Sequence, residues 1–179
     1  MSRLNLVDPN TADGKTRDLL DLVQRQMGMV PNIIRALANS PAALEAYLNL
    51  SGAVAGGSLS PKLRERVSLA VSQKNECDYC VAAHVALGKM TGLSAEEILD
   101  ARKGAATTSK DDVAVKFAVE LVEAKGNIDD RDLRRIRNAG FTDGEVAELV
   151  ALVALNIFTN YFNHVVQTDI DFPEAEPVE

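Results

Sequence analysis

Helix start signals recur along the chain and limit what it can fold into. Ser40-Pro41 and Ser60-Pro61 each place a capping hydroxyl before a proline at the first helical position. Pro31 is suited to open a short helix over residues 32–39. No stretch alternates apolar and polar residues between turn signals, so the sequence predicts no β-sheet.

Capping boxes and glycines supply further helix boundaries. Three pairs of residues have a polar N-cap and an acid three positions later: Ser94 with Glu97, Thr142 with Glu145 and, more weakly, Ser109 with Asp112. Four glycines follow apolar segments where a helix would end: Gly28, Gly104, Gly126 and Gly140. The sequence therefore predicts an all-α fold of about eight helices.

The length and charge of the chain indicate one domain with an acidic end. The chain has 179 residues, 46% of them hydrophobic, which is enough for one core without disulfide or metal staples. We expect a single domain over residues 1–172 and an acidic tail over residues 173–179. Residues 169–179 hold five acidic side chains and no basic one, within a net charge of −7. No basic stripe is present, so we expect no nucleic-acid partner.

The apolar segments are too short for membrane insertion or export. The longest uninterrupted apolar run, Leu149 to Leu155, is far below the roughly 20 residues of a membrane span. Residues 1–30 contain no apolar run of the length that a signal peptide needs. We therefore expect a cytoplasmic protein without a membrane partner. Thiols stay reduced in that compartment, so the cysteines are not expected to be a structural staple.

The segment from Pro61 to Gly92 holds most of the residues that can carry chemistry. Both cysteines of the chain, Cys77 and Cys80, and one of its two histidines, His84, lie within eight positions. On an α-helix that begins near Cys77, steps of three, four and seven residues return to one face. The three side chains would then form one stripe, with Asn75 as the expected N-cap.

Cysteines at a helix N-terminus have enhanced reactivity. The thiolate is the nucleophile, and helix N-termini and CxxC arrangements lower the pKa of a cysteine from about 8.5 by one to several units. Cys80 lies one helical turn from His84, which can accept its proton. Cys77 is placed where it can close a short disulfide with Cys80. The sequence therefore predicts a reactive thiol pair with a base beside it.

Glu65 lies on the second face of the preceding helix, together with Ser68 and Ser72. That face is small and partly apolar, so we expect the helix to be covered on both sides. A carboxylate held there without full solvation is a usable proton shuttle. The alternative is a surface glutamate paired with Arg64 or Arg66.

These residues resemble a known family. The pattern Glu65-x11-Cys77-x2-Cys80-x3-His84, followed by a small-residue helix and the SAEEI capping box, is similar to the alkylhydroperoxidase AhpD branch of the carboxymuconolactone decarboxylase family. The upstream segment MGMVPNIIRALANSPAALEAY also resembles the peroxidase-related members. The resemblance implies an all-helical fold and a homo-oligomer, either a trimer, a hexamer or a dimer.

The resemblance also implies roles for individual residues. Cys80 would be the peroxidatic cysteine, which attacks the O–O bond of a small or organic hydroperoxide, and Cys77 the resolving cysteine. His84 and Glu65 would form the proton relay. An external dithiol would be the reductant, and the reaction would need no cofactor and no metal. The decarboxylase branch lacks this cysteine pair, so lactone decarboxylation is not expected.

Two further residues are considered for supporting roles. Tyr79 stands where some hydroperoxidases have a second histidine, and its phenol is a poor base near neutral pH. The relay is then weaker, or the oxidant differs. His164, beside Asn160 and Asn163, is either a satisfied core or interface histidine or a part of the site. Tyr161 is expected in the core or at a subunit contact.

Several other functions remain open from the sequence. The same scaffold would serve a thiol–disulfide reductase or a redox sensor. A zinc-binding module would use Cys77, Cys80, His84 and Glu65, but structural zinc sites normally take two ligand pairs from separate elements. A thioredoxin-like fold needs a strand before the CxxC helix, where this chain has a helical pattern. Inert thiols on a helical scaffold are disfavoured by the polar neighbours of both cysteines.

Overall fold

The computed structural model describes residues 1–178, which form nine α-helices and no β-strand. The helices are α1 (Gly14–Met27), α2 (Asn32–Leu37), α3 (Pro41–Ala55), α4 (Pro61–Lys74), α5 (Asp78–Met90), α6 (Ala95–Arg102), α7 (Ser109–Glu123), α8 (Asp130–Asn138) and α9 (Asp143–Val166). The all-α prediction is confirmed, with one helix more than the approximate number expected.

Most of the predicted boundaries are confirmed by the cap geometry. The side chains of four N-cap residues accept a hydrogen bond from the backbone three residues later: Ser40, Ser60, Ser94 and Thr142. Ser94 and Thr142 form complete capping boxes with Glu97 and Glu145. The four predicted stop glycines have φ angles between 76° and 89°, a conformation that glycine adopts without strain.

The predicted N-cap at Asn75 is wrong. Asn75 ends α4, and Cys77 itself is the N-cap of α5. The polar residues that were expected to separate two helices still belong to α4. One of them has a partner on α6, because Gln73 accepts a hydrogen bond from Arg102 at 2.9 Å. The chain turns between α4 and α5 at Glu76, whose φ of 54° lies in the left-handed region.

The weaker capping pair, Ser109 with Asp112, is also wrong. Thr108 is the N-cap of α7 and accepts a hydrogen bond from the backbone of Asp111, at 3.2 Å. The Asp112 carboxylate instead accepts from the backbone of Ala106, at 3.1 Å, and pairs with Lys116. Two adjacent hydroxyls competed for one cap, and local spacing alone did not distinguish them.

Helix α4 is the centre of the fold. It packs against α5, α6, α7 and α9, and eight of its residues are buried. The prediction that this helix is covered on both sides is therefore confirmed. One hydrophobic cluster joins α4, α7, α8 and α9, and a second joins α1, α2 and α3 to the start of α5. Cys77 and Cys80 belong to the second cluster.

Helix α9 is long and apolar enough to cross a membrane, with a mean hydropathy of 1.5 over its most apolar window. In this structure 44% of that window is buried. Its inward face carries Asn156 and Asn160, whose amide groups donate to Ser68 at 3.1 Å and Ser72 at 3.4 Å on α4. These are the contacts of a core helix in a soluble helical domain.

The C-terminal segment folds back over the helices. The Asp169 carboxylate pairs with the N-terminal ammonium group at 2.7 Å, and the Asp171 carboxylate accepts from the backbone of Asn32 at 2.8 Å. Further along, the carbonyl of Glu176 accepts from Arg102 at 2.6 Å. The chain after α9 is therefore tied to α2 and α6. The predicted division between residues 172 and 173 stays a prediction.

Candidate active site

The cysteines lie at the start of α5, as the spacing predicted. Cys77 and Cys80 form a disulfide, and their Cα atoms are 5.3 Å apart. The Cys77 sulfur accepts a hydrogen bond from the backbone N–H of Cys80 at 3.4 Å, and thus caps the helix. The free N–H groups and the positive dipole end of the first turn favour a thiolate at this position. Both residues are buried: Cys77 is 2% exposed and Cys80 is 3% exposed.

Glu65 on α4 and His84 on α5 form a hydrogen-bonded pair. The ring Nδ1 of His84 lies 2.9 Å from the Glu65 carboxylate, and both side chains are about one-fifth exposed. Because the carboxylate can only accept, Nδ1 carries a hydrogen and Nε2 is the free nitrogen of the neutral ring. The alternative pairing of Glu65 with Arg64 or Arg66 does not occur: Arg64 donates to the carbonyl of Leu59, and Arg66 pairs with acids on other helices.

A small pocket opens beside Cys80. This Cys80 pocket is defined by Ile34, Cys80, His84, Leu87, Asn163 and Phe172, and it encloses about 80 Å³. Apolar side chains supply most of its lining, and the imidazole of His84 shares it with the sulfur. The site therefore joins a nucleophile, a proton carrier and an apolar surface.

A second pocket lies beside Glu65, and His84 lines both this pocket and the Cys80 pocket. This Glu65 pocket is defined by Tyr47, Ser51, Glu65, Ser68, His84 and Asn156, and it encloses about 200 Å³. Burial and the charge of Glu65 raise the pKa of Tyr47, while a hydrogen bond with Ser51 lowers it. The sequence analysis missed Tyr47. Its signal was a lone tyrosine on the mostly apolar α3, within the segment that carries the family resemblance.

Asn163 contacts the reactive sulfur directly. Its Nδ2 group donates to the Cys80 sulfur at 3.2 Å, from a side chain that is only 5% exposed. The sequence analysis noticed Asn163 only as part of a polar patch. The available signal was the spacing of Asn156, Asn160 and Asn163, which repeats polar groups on one face of an apolar helix.

Tyr79 has a different role from the one considered. Its hydroxyl accepts from the backbone N–H of Ile33 at 3.2 Å and donates to the Asp171 carboxylate at 2.8 Å. Burial raises the pKa of Tyr79 far above its ordinary value, and the neighbouring Asp171 carboxylate raises it further. The ring packs edge-on against Phe172, with centroids 5.7 Å apart. Tyr79 therefore tethers α2 and the C-terminal segment to α5.

A third pocket opens beside Cys77. This Cys77 pocket is defined by Glu76, Cys77, Asp78, Asn163, His164 and Thr168, and it encloses about 210 Å³. His164 is exposed, and its Nε2 group donates to the carbonyl of Asn75 at 2.8 Å. His164 is therefore not a core histidine: its exposed ring has one hydrogen-bond partner and lines a pocket at the disulfide, while its role in the site stays a prediction.

The zinc alternative has no geometric support in the described residues. Within residues 1–178 no three or more His, Cys, Asp or Glu side chains are grouped as metal ligands. The two sulfurs are bonded to each other, and the free electron pair of His84 is directed away from Glu65. Zinc needs thiolates and a tetrahedral set of donors, which this arrangement does not present.

Residues 41–124 match the carboxymuconolactone decarboxylase family. They include Glu65, both cysteines and His84, so the match covers the whole predicted motif. This part of the chain is therefore similar to the carboxymuconolactone decarboxylase family, and the chain has an AhpD-like fold. No protein of curated function matches the chain.

Solved structures share this fold over nearly the whole chain. A peroxidase-related protein from Ralstonia eutropha JMP134, described as an alkylhydroperoxidase AhpD core, is 23% identical with a TM-score of 0.86, covering 95% of this chain and 92% of its own. A peroxidase-related protein from Silicibacter sp. TM1040 is 23% identical with a TM-score of 0.82, covering 94% and 91%. The debrominase Bmp8, solved with 2,3,4-tribromopyrrole, is 16% identical with a TM-score of 0.74, covering 96% and 94%. At these identities the likeness concerns the fold alone.

Proposed function

We propose that this protein is a thiol-dependent peroxidase that reduces small or organic hydroperoxides. One observation carries the proposal: the Cys80 sulfur shares an apolar pocket with His84, whose other nitrogen is held by Glu65 at 2.9 Å. A nucleophile beside a base that is oriented by a third group is the arrangement that activates a thiol. The antioxidant role that the AhpD-like fold supports is consistent with this chemistry.

The first step oxidises Cys80. His84 takes the thiol proton at Nε2, and the resulting imidazolium is paired with Glu65. The thiolate attacks the outer oxygen of R–O–OH, the O–O bond breaks, and Cys80 becomes a sulfenic acid. The alkoxide that leaves takes the proton from His84. The hydrogen bond from Asn163 to the Cys80 sulfur, at 3.2 Å, stabilises the thiolate before the attack.

The second step closes the disulfide. The Cys77 sulfur attacks the sulfenic sulfur of Cys80, the S–O bond breaks, and hydroxide leaves as water once it is protonated. The 5.3 Å between the two Cα atoms is within the range that a disulfide requires. An external dithiol then restores both thiols and closes the cycle. Such a cycle suits the reducing cytoplasm, where we place the protein.

The kinetics of hydroperoxide consumption by wild type, Cys80→Ser and Cys77→Ser test this proposal. With a dithiol present, wild type should consume hydroperoxide continuously, and Cys80→Ser should consume none. Without a dithiol, Cys77→Ser should show one stoichiometric burst that ends in a sulfenic acid. Equal activity in all three proteins would refute the assignment. If reduced wild type cleaves protein disulfides but reacts with hydroperoxide no faster than a free thiol, the reductase alternative replaces it.

We also propose that the chain forms a homo-oligomer through the outer face of α9. Exposed apolar side chains follow helical spacing along this face: Val150, Ala154, Phe158, Tyr161 and Val165. No charged residue lies between positions 149 and 168, so nothing in this seam repels a second copy of the same seam. Sedimentation should find an oligomer in wild type and a smaller species in Phe158→Glu/Tyr161→Glu. A wild-type monomer would rule this interface out.

A further inference from the structure

The two sulfurs of the disulfide are reached from different pockets. Cys80 lines the Cys80 pocket and is absent from the lining of the Cys77 pocket, and Cys77 shows the reverse. A thiolate displaces a sulfur by approaching it from the side opposite to the bond that breaks. Each pocket is therefore lined by only one cysteine of the pair.

Two residues that line the Cys77 pocket each carry a buried polar atom that has no partner among the described residues. These atoms are the Oδ1 atom of Asn163 and the Oγ1 atom of Thr168. Their side chains are 5% and 8% exposed, and both residues line this pocket. Buried polar atoms normally have hydrogen-bond partners. Two such atoms beside one pocket favour an occupant that can form hydrogen bonds.

His164 adds a base at the same pocket. Its Nε2 group donates to the carbonyl of Asn75 at 2.8 Å, which leaves Nδ1 as the acceptor of the neutral ring. An ordinary thiol has a pKa of about 8.5 and is only a few per cent ionised at neutral pH. A ring that takes its proton on arrival would raise the concentration of the attacking thiolate.

We propose that the Cys77 pocket binds the dithiol reductant and that this reductant attacks Cys77, not Cys80. The assignment of this step to a catalytic cycle rests on the proposed peroxidase function. His164 takes the proton of the first thiol, whose sulfur bonds to Cys77 while the Cys77–Cys80 bond breaks. Cys80 leaves as a thiolate, held by Asn163, and takes a proton from solvent while His164 releases to solvent the proton that it took. The second thiol of the reductant then attacks the sulfur of the first, releasing Cys77 and a cyclic disulfide, so two electrons and two protons pass to the protein.

The charge of the pocket selects the class of dithiol. Glu76 and Asp78 place two carboxylates on the lining, with no lysine or arginine among the lining residues. An anionic thiol is repelled by them, whereas a neutral or cationic one is not. The volume of about 210 Å³ suits a small molecule or a single side chain. The pocket is therefore built for a small dithiol without carboxylates.

A trapping experiment identifies which sulfur is attacked. Oxidised wild type is mixed with 2-mercaptoethanol and quenched with N-ethylmaleimide, and fragmentation of the peptide that holds both cysteines locates each group. We expect mercaptoethanol on Cys77 and maleimide on Cys80. The reverse pattern overturns the inference. This experiment involves no hydroperoxide, so a failure of the proposed peroxidase function is detected separately, by adding hydroperoxide to the reduced protein.

Half-reactions of variants test the pocket itself. Reduction by dithiothreitol should slow about tenfold or more in His164→Gln and severalfold in Thr168→Val, while oxidation by hydroperoxide stays within twofold. The matched control is Thr107→Val, at an exposed threonine that lines none of the three pockets, which should change neither half-reaction. Equal losses in both half-reactions, or no loss of reduction in His164→Gln, would overturn the proposal.

The charge argument has its own test. Wild type should form a mixed disulfide faster with 2-mercaptoethanol than with mercaptoacetate, a thiol of similar size that carries a carboxylate. The ratio of the two rates, neutral thiol over carboxylate thiol, should fall severalfold in the double variant Glu76→Gln/Asp78→Asn. Added salt should lower the same ratio in wild type. A ratio that is the same in both proteins would show that the pocket does not discriminate by charge.

Discussion

The Cys80 pocket and the Cys77 pocket are each lined by one cysteine of the same disulfide, and they differ in size and polarity. The first encloses about 80 Å³ and is mostly apolar, and the second encloses about 210 Å³ and is mostly polar. Each has its own histidine. The proposed cycle would use this difference, because a hydroperoxide with an apolar group and a polar dithiol favour different surroundings.

The two histidines differ in the group that holds them. His84 is paired with the Glu65 carboxylate at 2.9 Å, and His164 is bonded to the carbonyl of Asn75 at 2.8 Å. A carboxylate neutralises the ring once it is protonated, whereas a carbonyl only orients it. His84 is thus suited to keep a proton for the leaving alkoxide. His164 is suited to take a proton and release it to solvent.

The largest effect that separates the pockets is expected from Glu65→Gln. Glutamine keeps an oxygen acceptor for the ring of His84 but removes the charge that stabilises the imidazolium. Oxidation of the reduced protein by hydroperoxide should slow about 100-fold, within the range of general acid–base catalysis. Reduction by dithiothreitol should stay within twofold, in stopped-flow measurements of each half-reaction. Glu45→Gln, an exposed glutamate paired with Lys15, is the control. Equal slowing of both half-reactions would mean that the pockets do not act separately.

Asn163 lines both pockets, so Asn163→Ala should affect both halves of the cycle. Losing a hydrogen bond to a charged sulfur costs about 1.5–3 kcal/mol, which should raise the pKa of the Cys80 thiol by about one to two units. The rate of alkylation of the reduced protein against pH measures this directly. Asn163→Asp should raise the pKa further, because it adds a negative charge beside the thiolate. A profile unchanged in both variants would exclude Asn163 from thiolate stabilisation.

Tyr79 also lines both pockets, and we expect Tyr79→Phe to reduce stability more than activity. The change leaves the buried N–H of Ile33 and the Asp171 carboxylate without their partner, at a cost of about 1–3 kcal/mol. Urea unfolding should measure this loss. The rate of each half-reaction should change less than twofold, because the phenol is hydrogen-bonded to Ile33 and Asp171 and not to either sulfur.

The raised pKa of Tyr79 gives the smallest effect, a dependence of stability on alkaline pH. The folded state keeps the phenol protonated above pH 10, where the unfolded chain releases that proton. The stabilisation is therefore fully present below about pH 10 and is lost as the pH rises further. Wild type should lose unfolding free energy more steeply between pH 9.5 and pH 10.5, roughly, than Tyr79→Phe. Equal slopes would show that the phenol titrates normally.

Local signals predicted most of the fold and part of the site. Caps such as Ser60 and stops such as Gly104 act on their own helix, so their effect is visible within a few residues. The failure at Asn75 occurred where polar residues have partners on other helices, and the failure at Ser109 occurred where two adjacent hydroxyls competed for one cap. The site residues Cys77, Cys80 and His84 were found because they share one helical face.

Residues that act through distant contacts were missed or misread. Asn163 meets Cys80 across 83 positions of sequence, and Tyr79 meets Asp171 across 92. Helical spacing says which face of α9 bears the asparagines, but only the packing of α9 against α4 and α5 decides what that face touches. Tyr47 was missed for the same reason, because its importance comes from lying beside Glu65 on another helix.

The amino-acid sequence by itself determined the helices and the stripe of thiols and imidazole on α5, because caps and helical periodicity operate over one or two turns. The tertiary structure decided that one disulfide would face two unlike pockets. That division depends on α9 and the C-terminal segment, which bring Asn163, Thr168 and Phe172 to the cysteines from the far end of the chain. Such contacts form only when the apolar faces of the helices are buried together.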